Sequence, residues 1–228
     1  MRTINSRDEE LLKCCYEHNF LLFEHVADGF FEGKTYQSGW NRIRDLRGLG
    51  LISCESNAAL GQRKVLRLTK QGEKYVQHLD PMPVRQKEAL SLATFEHDVL
   101  LLSVRQRLMK LWDGKWIPEG ALKKQDFIEV PDGIVVFSSG KRIAIEVERT
   151  PKGKTRFMGL LDRWRKIDVL MVLYVVDSPK MFSILKSYLR EGPTDVAFGL
   201  VLWNDLKAGT PVVWTPGEPI DLFSVRTL

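Results

Sequence analysis

The 228-residue sequence predicts an α/β fold (α+β overall), in which a small helical unit precedes an α/β domain with a central mixed sheet. In the C-terminal part, helix-like and strand-like segments follow the order α-β-β-β-α-β-α-β, which is typical of a sheet covered by helices. Residues 169–176 form an uninterrupted apolar run, as expected of a strand buried on both faces. Residues 7–79 instead combine helical patterns with a two-stranded ribbon.

The N-terminal unit, residues 1–79, shows helical periodicity before its ribbon. We expect helices over residues 8–17, 21–28 and 36–46, strands around 51–52 and over 64–68, and a short helix over 69–75. Ser6 is a candidate N-cap for the first helix. The third helix places apolar Trp40 and Ile43 on one face and ends near Gly48, a residue suited to a C-cap.

A second domain is expected over residues 94–228, after a linker at 80–93 that contains Pro81 and Pro83. The apolar patterns predict helices over 92–111, 155–166 and 179–190, and strands over 116–118, 133–137, 142–148, 169–176, 196–203 and 211–214. The result is one large sheet with helices packed against it.

The charge distribution indicates an anionic partner. The chain has 34 Lys and Arg against 29 Asp and Glu, and residues 141–166 hold nine basic residues and three acidic ones. Such a cluster favours nucleic acid. Lys and Arg on a solvated helix face would give the same pattern, so this alternative stays open.

The cysteine content and the hydropathy exclude other classes of protein. Cys14, Cys15 and Cys54 are odd in number and lack the spacing of metal ligands, which favours a reduced compartment and argues against zinc. The sequence shows no signal peptide and no apolar run of membrane-spanning length. We therefore expect a cytoplasmic protein without a membrane partner.

Three carboxylates stand in two adjacent strand-like segments, Asp132 in the first and Glu146 and Glu148 in the second. Side chains alternate between the faces of a strand, so the two glutamates share a face. If Asp132 joins them there, their like charges repel and need a cation or a proton. The sequence therefore predicts a site for a hard divalent cation such as Mg²⁺.

The register of this hairpin decides whether the three side chains meet. Directly opposed residues of an antiparallel pair have a constant sum of residue numbers, so a four-residue loop at 138–141 would set Asp132 opposite Val147, on the other face. A three-residue or five-residue loop sets Asp132 opposite Glu148 or Glu146. We predict the odd loop, with a bulge at Gly140.

The N-terminal segments LRGLGLI (46–52) and VLRLTKQGEKYV (65–76) resemble the end of the recognition helix, the wing and the closing helix of winged helix-turn-helix proteins. The resemblance implies that the helix over 36–46 enters the major groove of DNA. Its candidate DNA contacts are Gln37, Asn41, Arg42 and Arg44. The alternative is a winged helix that serves only protein contacts.

The carboxylate segment resembles the core of PD-(D/E)xK nucleases. Pro131-Asp132 matches the first element and Glu146 the second acid, while Glu148 occupies the place of the usual lysine. The resemblance implies that Asp132 and Glu146 hold Mg²⁺ or Mn²⁺. Glu148 is then a third ligand or a base, and Lys154 or Lys152 supplies the missing positive charge.

Two further residues are candidates at this site. Glu96 opens the long helix and would be the acid that such nuclease cores often add to the metal cluster from their first helix; the alternative is a favourable interaction with the helix dipole. Arg149 follows the second strand and would bind a phosphate or pair with Glu148.

Over nearly the whole chain, the segments EHDVLLLSVRQRL (96–108), PDGIVV (131–136) and IAIEVERT (143–150) are similar to the replication-relaxation family, which includes MobC-type plasmid mobilisation proteins. The resemblance implies DNA processing in plasmids or mobile elements. Its partners would be double-stranded DNA and a relaxase or replication protein, with a homodimer as one arrangement. Three functions stay open: a metal-dependent DNA-nicking endonuclease, a non-catalytic DNA-binding accessory protein, and a regulator that senses a small ligand.

Overall fold

A computed structural model of the chain describes residues 3–84, 90–125, 127–209 and 211–224. It divides into two compact units, Met1–Ser103 and Val104–Leu228, called here the first and the second unit. Their boundary falls within a long helix, whereas the sequence predicts a linker at 80–93 and a second domain from residue 94. Residues 85–89 of that linker lie outside the described residues, and the flanking residues 80–84 and 90–94 are turns and irregular chain.

The first unit packs helices against a small sheet. Its elements are α1 (Ser6–His18), β1 (Leu21–Leu22), α2 (Phe23–Phe30), α3 (Tyr36–Gly48), β2 (Ile52–Asn57), a short 3-10 helix (Ala58–Leu60), β3 (Arg63–Leu68) and α4 (Lys70–Leu79). Helix α5 (Phe95–Leu111) begins in the first unit and ends in the second. The predicted helices and ribbon strands are all present, with α4 extending to Leu79 instead of Tyr75.

The N-cap of α1 is Asn5 rather than the predicted Ser6. The Asn5 side chain accepts a hydrogen bond from the backbone N of Asp8 at 3.1 Å, and Asp8 Oδ2 accepts one from the backbone N of Asn5 at 2.9 Å. This capping box needs an acid three residues after the cap, and the sequence offers that spacing to Ser6 as well, through Glu9. Asp8 also pairs with Arg42 inside the unit, which favours the Asn5 alternative.

A two-residue strand, β1, which the sequence pattern does not predict, lies between α1 and α2. Leu21 pairs with Leu66 and Leu22 with Val65 in antiparallel register, and the three strands follow the order β1-β3-β2. The second helix therefore begins at Phe23 instead of Leu21, because the sheet takes the backbone of the two preceding residues.

His25 is a buried histidine that links α2 to α5 within the first unit. Its Nδ1 accepts a hydrogen bond from the backbone N of Leu22 at 3.2 Å, and its Nε2 lies 3.2 Å from Ser103 Oγ. Ser103 Oγ itself donates to the Val99 carbonyl, so it accepts from Nε2 and the imidazole is neutral. Burial lowers the pKa of His25 to about 4, and the nearby Glu24 carboxylate opposes this shift only in part.

We predict that His25 makes the free energy of unfolding fall in acid. The native pKa lies below the ordinary 6.5, so the stabilisation is present above pH 6.5 and is lost as pH falls through about 4. The loss attributable to His25 is at most about 3 kcal/mol. Denaturant titrations of the wild type and His25→Asn between pH 7 and 4 should give a shallower pH slope for the variant. His78→Asn, on the exposed side of α4, is the matched control, and an equal slope in the wild type and His25→Asn would contradict the assignment.

The second unit contains strands and helices in alternation. After the C-terminal part of α5 it has β4 (Gly114–Pro118), α6 (Glu119–Leu122), β5 (Gly133–Phe137), β6 (Arg142–Glu148), α7 (Lys154–Trp164), β7 (Met171–Val176), α8 (Pro179–Arg190), β8 (Phe198–Leu202), α9 (Trp203–Ala208), β9 (Val212–Val213) and β10 (Ile220–Asp221). The bounds of β5, β6 and α8 equal those expected from the sequence, whereas α6, α9 and β10 were not expected. Among the described residues, no helix has the length and apolarity needed to cross a membrane.

Five of these strands form a mixed sheet in the order β4-β5-β6-β7-β8. Neighbours β4, β5 and β6 are antiparallel, while β6, β7 and β8 are parallel. Parallel neighbours require crossover connections, which α7 and α8 provide. The predicted mixed α and β architecture with a mixed sheet is therefore confirmed.

The β5–β6 hairpin has the odd loop that the sequence argument requires. Phe137 N donates to the Lys141 carbonyl at 3.0 Å, Gly140 N donates to the Phe137 carbonyl at 2.9 Å, and Gly140 has a φ of 82°. The three-residue loop 138–140 thus ends in a bulge that only a residue tolerant of positive φ adopts at low cost. Gly133 pairs with Ile145, so the register continues to Asp132 opposite Glu146.

Helices α7 and α8 cover one face of the sheet. The buried residues of this layer include Ala144 of β6, Tyr174 of β7, Leu161 and Trp164 of α7, and Leu185 of α8. Alternation along β6 places Glu146 and Glu148 on the face of Ala144. The two glutamates therefore lie where this helix-covered face reaches the end of β6.

Candidate carboxylate site and exposed face of the third helix

Three carboxylates meet at one end of the β5–β6 hairpin. Asp132 directly precedes β5, and its Oδ2 accepts a hydrogen bond from the backbone N of Val147 at 2.8 Å, which holds the side chain against β6. Glu146 lies opposite Asp132 in register, and Glu148 follows on the same face. Both glutamates are buried, with exposed fractions of 8% and 5%.

The glycine after Asp132 is required by packing. A Cβ on Gly133 would lie 2.1 Å from Cζ2 of Trp116, the buried aromatic side chain of β4. Only glycine therefore admits the Trp116 ring beside β5. The Asp132-Gly133 pair thus joins a site residue to one that the strand packing demands.

The electrostatics of the site are dominated by Glu146. Its pKa is raised well above the ordinary value of 4.5, first by burial, then by the charge of Asp132 and, to a smaller extent, by that of Glu148. The charge of Lys152 and a hydrogen bond from the Asp132 backbone act in the opposite direction. A buried carboxylate between two others needs a neutralising proton or cation. The site is therefore built to attract positive charge.

Lys152 brings a positive charge into this group. Its Nζ contacts Glu148 Oε1, and the side chain is only 28% exposed. Lys154, the other candidate predicted from the sequence, opens α7 with its Nζ 2.7 Å from Glu191 Oε2. The structure thus places Lys152 rather than Lys154 beside the carboxylates. The path of the irregular segment 149–153 determines where the lysine side chains point, and sequence spacing does not predict that path.

Two other predicted site residues have different partners. Arg149 Nε donates to Asp177 Oδ2 at 2.9 Å, so the arginine pairs with the residue after β7 rather than with Glu148. Glu96 belongs to the first unit, where its Oε1 lies 3.7 Å from Arg63 Nη1. That pairing gives no support to Glu96 as a metal ligand.

Tyr174 is a site neighbour that the sequence did not reveal. It pairs with Glu146 across the parallel β6–β7 register, is fully buried, and accepts a hydrogen bond from Trp164 Nε1 at 3.0 Å. Burial, followed by the charge of Glu146, raises the pKa of its hydroxyl well above the ordinary 10. The hydroxyl stays protonated, and the buried residue adds apolar surroundings to the glutamate. Only the register between β6 and β7 could have identified it.

The donor set fits a hard divalent cation held by two carboxylates. Mg²⁺ is usually bound through one or two carboxylates together with substrate phosphates, and Asp132 with Glu146 meets that requirement. Glu148 is engaged by Lys152, which argues against its predicted role as a third ligand. Across the described residues, no group of three or more His, Cys, Asp and Glu side chains is arranged to hold a metal. The candidate site therefore consists of Asp132, Glu146 and a Glu148 that is paired with Lys152.

We predict that Glu146→Gln stabilises the protein at neutral and alkaline pH. A raised native pKa means that the stability present below pH 4.5 is lost as pH rises through the native pKa, and glutamine has no such loss. The gain should be on the order of 1 kcal/mol at pH 8 and shrink toward pH 4. Denaturant titrations across this range measure it, with exposed Glu191→Gln as control. A difference that does not change with pH would contradict the assignment.

In the first unit, the structure changes the predicted role of Arg42. Its Nε donates to Asp8 Oδ1 at 2.8 Å, its Nη2 contacts Asp8 Oδ2, and a further bond reaches the Thr3 carbonyl at 2.8 Å. Asp8 is fully buried, and the Arg42 side chain is 14% exposed. Arg42 therefore stabilises the contact between α1 and α3, and its position argues against a DNA contact.

The other candidates on α3 remain accessible. Gln37, Asn41 and Arg44 are exposed and follow one stripe along the helix, with Arg47 nearby. An open groove of about 510 Å³ lies beside the end of this helix, lined by Arg44, Arg47, Gly48, Gly50, Ile52, Ser53, Cys54, Glu55 and Thr69. Two arginines thus border a concave surface next to β2.

Comparison with known proteins gave no further assignment. No protein-family model matches the chain, no curated protein matches it, and no solved structure matches it. The resemblances drawn from the sequence motifs therefore remain predictions.

Proposed function

We propose that the chain is a duplex-DNA-binding protein that nicks DNA at a divalent-cation site formed by Asp132 and Glu146. The observation that carries this proposal is the hairpin register, which sets Asp132 opposite Glu146 with Lys152 beside Glu148. Two acids at the end of a strand pair, with a lysine in the segment that leads to the next helix and parallel strand, resemble the parts that a PD-(D/E)xK nuclease uses.

DNA binding is assigned to the first unit. Its order α1-β1-α2-α3-β2-β3-α4, with the sheet order β1-β3-β2, supports a winged helix-turn-helix. In that arrangement α3 is the recognition helix and the β2–β3 ribbon is the wing. The exposed, carboxylate-free stripe on α3 supports the same assignment.

Each residue of the site has a distinct part in the proposed cleavage. Asp132, held by the Val147 backbone, and Glu146 would hold the cation. A Mg²⁺ or Mn²⁺ ion there would lower the pKa of a water and would neutralise charge on the scissile phosphate. Lys152 provides the positive charge that a strand lysine provides in related nucleases, and Glu148 positions its ammonium group. The buried Tyr174, which neighbours Glu146 on β7, excludes water from one side of that glutamate.

A non-catalytic accessory role is the second candidate. The observation that favours it is Glu148, an acid in the place of the usual lysine. In this alternative the chain binds DNA for a relaxase or a replication protein of a plasmid or mobile element, as a monomer or a homodimer in the cytoplasm. The carboxylate site would then be a remnant of a nuclease.

Cleavage of supercoiled plasmid separates the two candidates. The wild type with Mg²⁺ should convert supercoiled DNA to the open circular form, and EDTA or Asp132→Asn should abolish the conversion while mobility-shift binding persists. Asp162→Asn, an exposed acid on α7, is the matched control. Binding without nicking in the wild type, unchanged by EDTA, would assign the accessory role. Absence of any duplex binding would overturn both.

A further inference from the structure

We infer that α3 carries a base-reading stripe in which Gln37 recognises adenine and Arg44 recognises guanine. This inference rests on the proposed binding of duplex DNA by the first unit. It goes further because it names the bases that each side chain selects. The hydrogen bonds within the stripe determine which bases its members can recognise.

Asn41 accepts hydrogen bonds from both of its neighbours on the stripe. Gln37 Nε2 donates to Asn41 Oδ1 at 3.0 Å, and Arg44 Nη2 donates to the same oxygen at 2.6 Å. The residues are four and three positions apart, so they lie on one face of the helix. These contacts fix the orientation of all three polar groups before any ligand arrives.

The shared acceptor determines what each group can offer to DNA. Asn41 has committed its oxygen, so its amide group can only donate. Arg44 has only donors, and its guanidinium suits the O6 and N7 acceptors of guanine. Gln37 retains Oε1 as an acceptor and one N–H as a donor, the pair that matches N6 and N7 of adenine. Gln37 is therefore the one member of this stripe that can accept from a base amino group.

The surroundings favour a polyanion over an acidic or neutral protein surface. Asp45, the acid within α3, lies 3.8 Å from Arg42 Nη1, which offsets its negative charge. Arg47 borders the open groove at the end of the helix, where it can contact phosphates that flank the bases. Glu55 also lines this groove.

The spacing gives the expected length of the subsite. Gln37 and Arg44 are seven residues apart, which is about 10 Å along an α-helix and so about three base-pair steps of 3.4 Å. The N-terminal residues of a recognition helix reach the base edges most deeply, which suits Gln37 in the first turn of α3. We therefore expect an adenine and a guanine two to four base pairs apart in the preferred site.

Selection of bound duplexes from a random pool, followed by sequencing, tests the stripe in the full chain. The wild type should enrich a motif with adenine and guanine at that spacing. In Gln37→Ala, the preference for adenine over the other bases should fall by about tenfold in relative affinity. The preference for guanine at the second position should not change. Gln37→Glu keeps the acceptor but loses the donor, so the preferred base at this position should change from adenine to cytosine. Gln125→Ala, an exposed glutamine of the second unit, is the matched control.

The outcomes separate this inference from the proposed function. A motif that is unchanged by both Gln37 substitutions would overturn the base assignment while duplex binding stands. A uniform loss of affinity in Arg44→Ala, with a lower salt dependence and the same motif, would overturn the guanine assignment and make Arg44 a phosphate contact. Failure of the wild type to bind any duplex would overturn the inference together with the DNA-binding function. Circular dichroism of each variant confirms that these exposed substitutions leave the fold intact.

Discussion

Replacing Arg42 with alanine should lower the free energy of unfolding by about 3–5 kcal/mol, because it leaves the fully buried Asp8 carboxylate without its partner. The guanidinium also bonds the Thr3 carbonyl, so the substitution frees the start of the chain from α3. Denaturant titration of the full chain, followed by far-ultraviolet circular dichroism, measures the loss. The same ion pair explains why Asp8 occupies the third position of α1.

Arg44→Ala is the matched control, since it removes an exposed arginine two residues along the same helix. Its effect on stability should stay within about 0.5 kcal/mol. The double variant Asp8→Ala/Arg42→Ala should be more stable than Arg42→Ala, because it no longer buries a lone charge. Equal stability of Arg42→Ala and Arg44→Ala would contradict the structural role of Arg42 and return it to the DNA-facing candidates.

Replacing Lys152 with methionine should reduce the rate of plasmid nicking by about 100-fold or more, if the second unit cleaves DNA as proposed. Lys152 carries the positive charge that reaches the carboxylates, whereas Lys154 pairs with Glu191 on the exposed side of α7. Lys154→Met should therefore nick at the wild-type rate. Single-turnover nicking at saturating protein and Mg²⁺ measures both variants.

A double variant that moves the positive charge from residue 152 to residue 148 tests the role of Lys152 further. The double variant Glu148→Lys/Lys152→Met moves the lysine to the strand position that PD-(D/E)xK nucleases use, and it should recover nicking relative to Lys152→Met. Equal loss of activity in the Lys152 and Lys154 variants would show that neither lysine acts specifically. Loss of nicking in Lys154→Met alone would assign the positive charge to Lys154 instead of Lys152.

The carboxylate hairpin could be predicted from the sequence because its information is local. A loop of odd length, a glycine suited to positive φ and the alternation of side chains reduced the residues opposite Asp132 to Glu146 or Glu148, and the observed register selects Glu146. The strand bounds followed from runs of apolar, β-branched residues that end at turn residues. The periodicity of apolar residues and the positions of turn residues therefore predict most of the central sheet.

The features that could not be predicted from the sequence depend mainly on contacts between segments that are distant along the chain. Arg42 resembled a DNA contact because its partner, Asp8, stands 34 residues earlier. Strand β1 has two residues, too few for a periodic signal, and exists because β3 offers it a partner. Lys152 lies four residues after Glu148 and Lys154 six, and the path of the irregular segment between β6 and α7 places only Lys152 against Glu148. Pairing between distant segments decided the first two cases, and the path of an irregular segment decided the third.

The central claim is that Asp132 and Glu146 form a divalent-cation site, and calorimetric titration with Mn²⁺ tests it most directly. The wild type should bind Mn²⁺ at a single site, Asp132→Asn should lose that binding, and Glu148→Gln should retain it because Glu148 is engaged by Lys152. Absence of Mn²⁺ binding in the wild type, or binding that is unchanged in Asp132→Asn, would contradict the account.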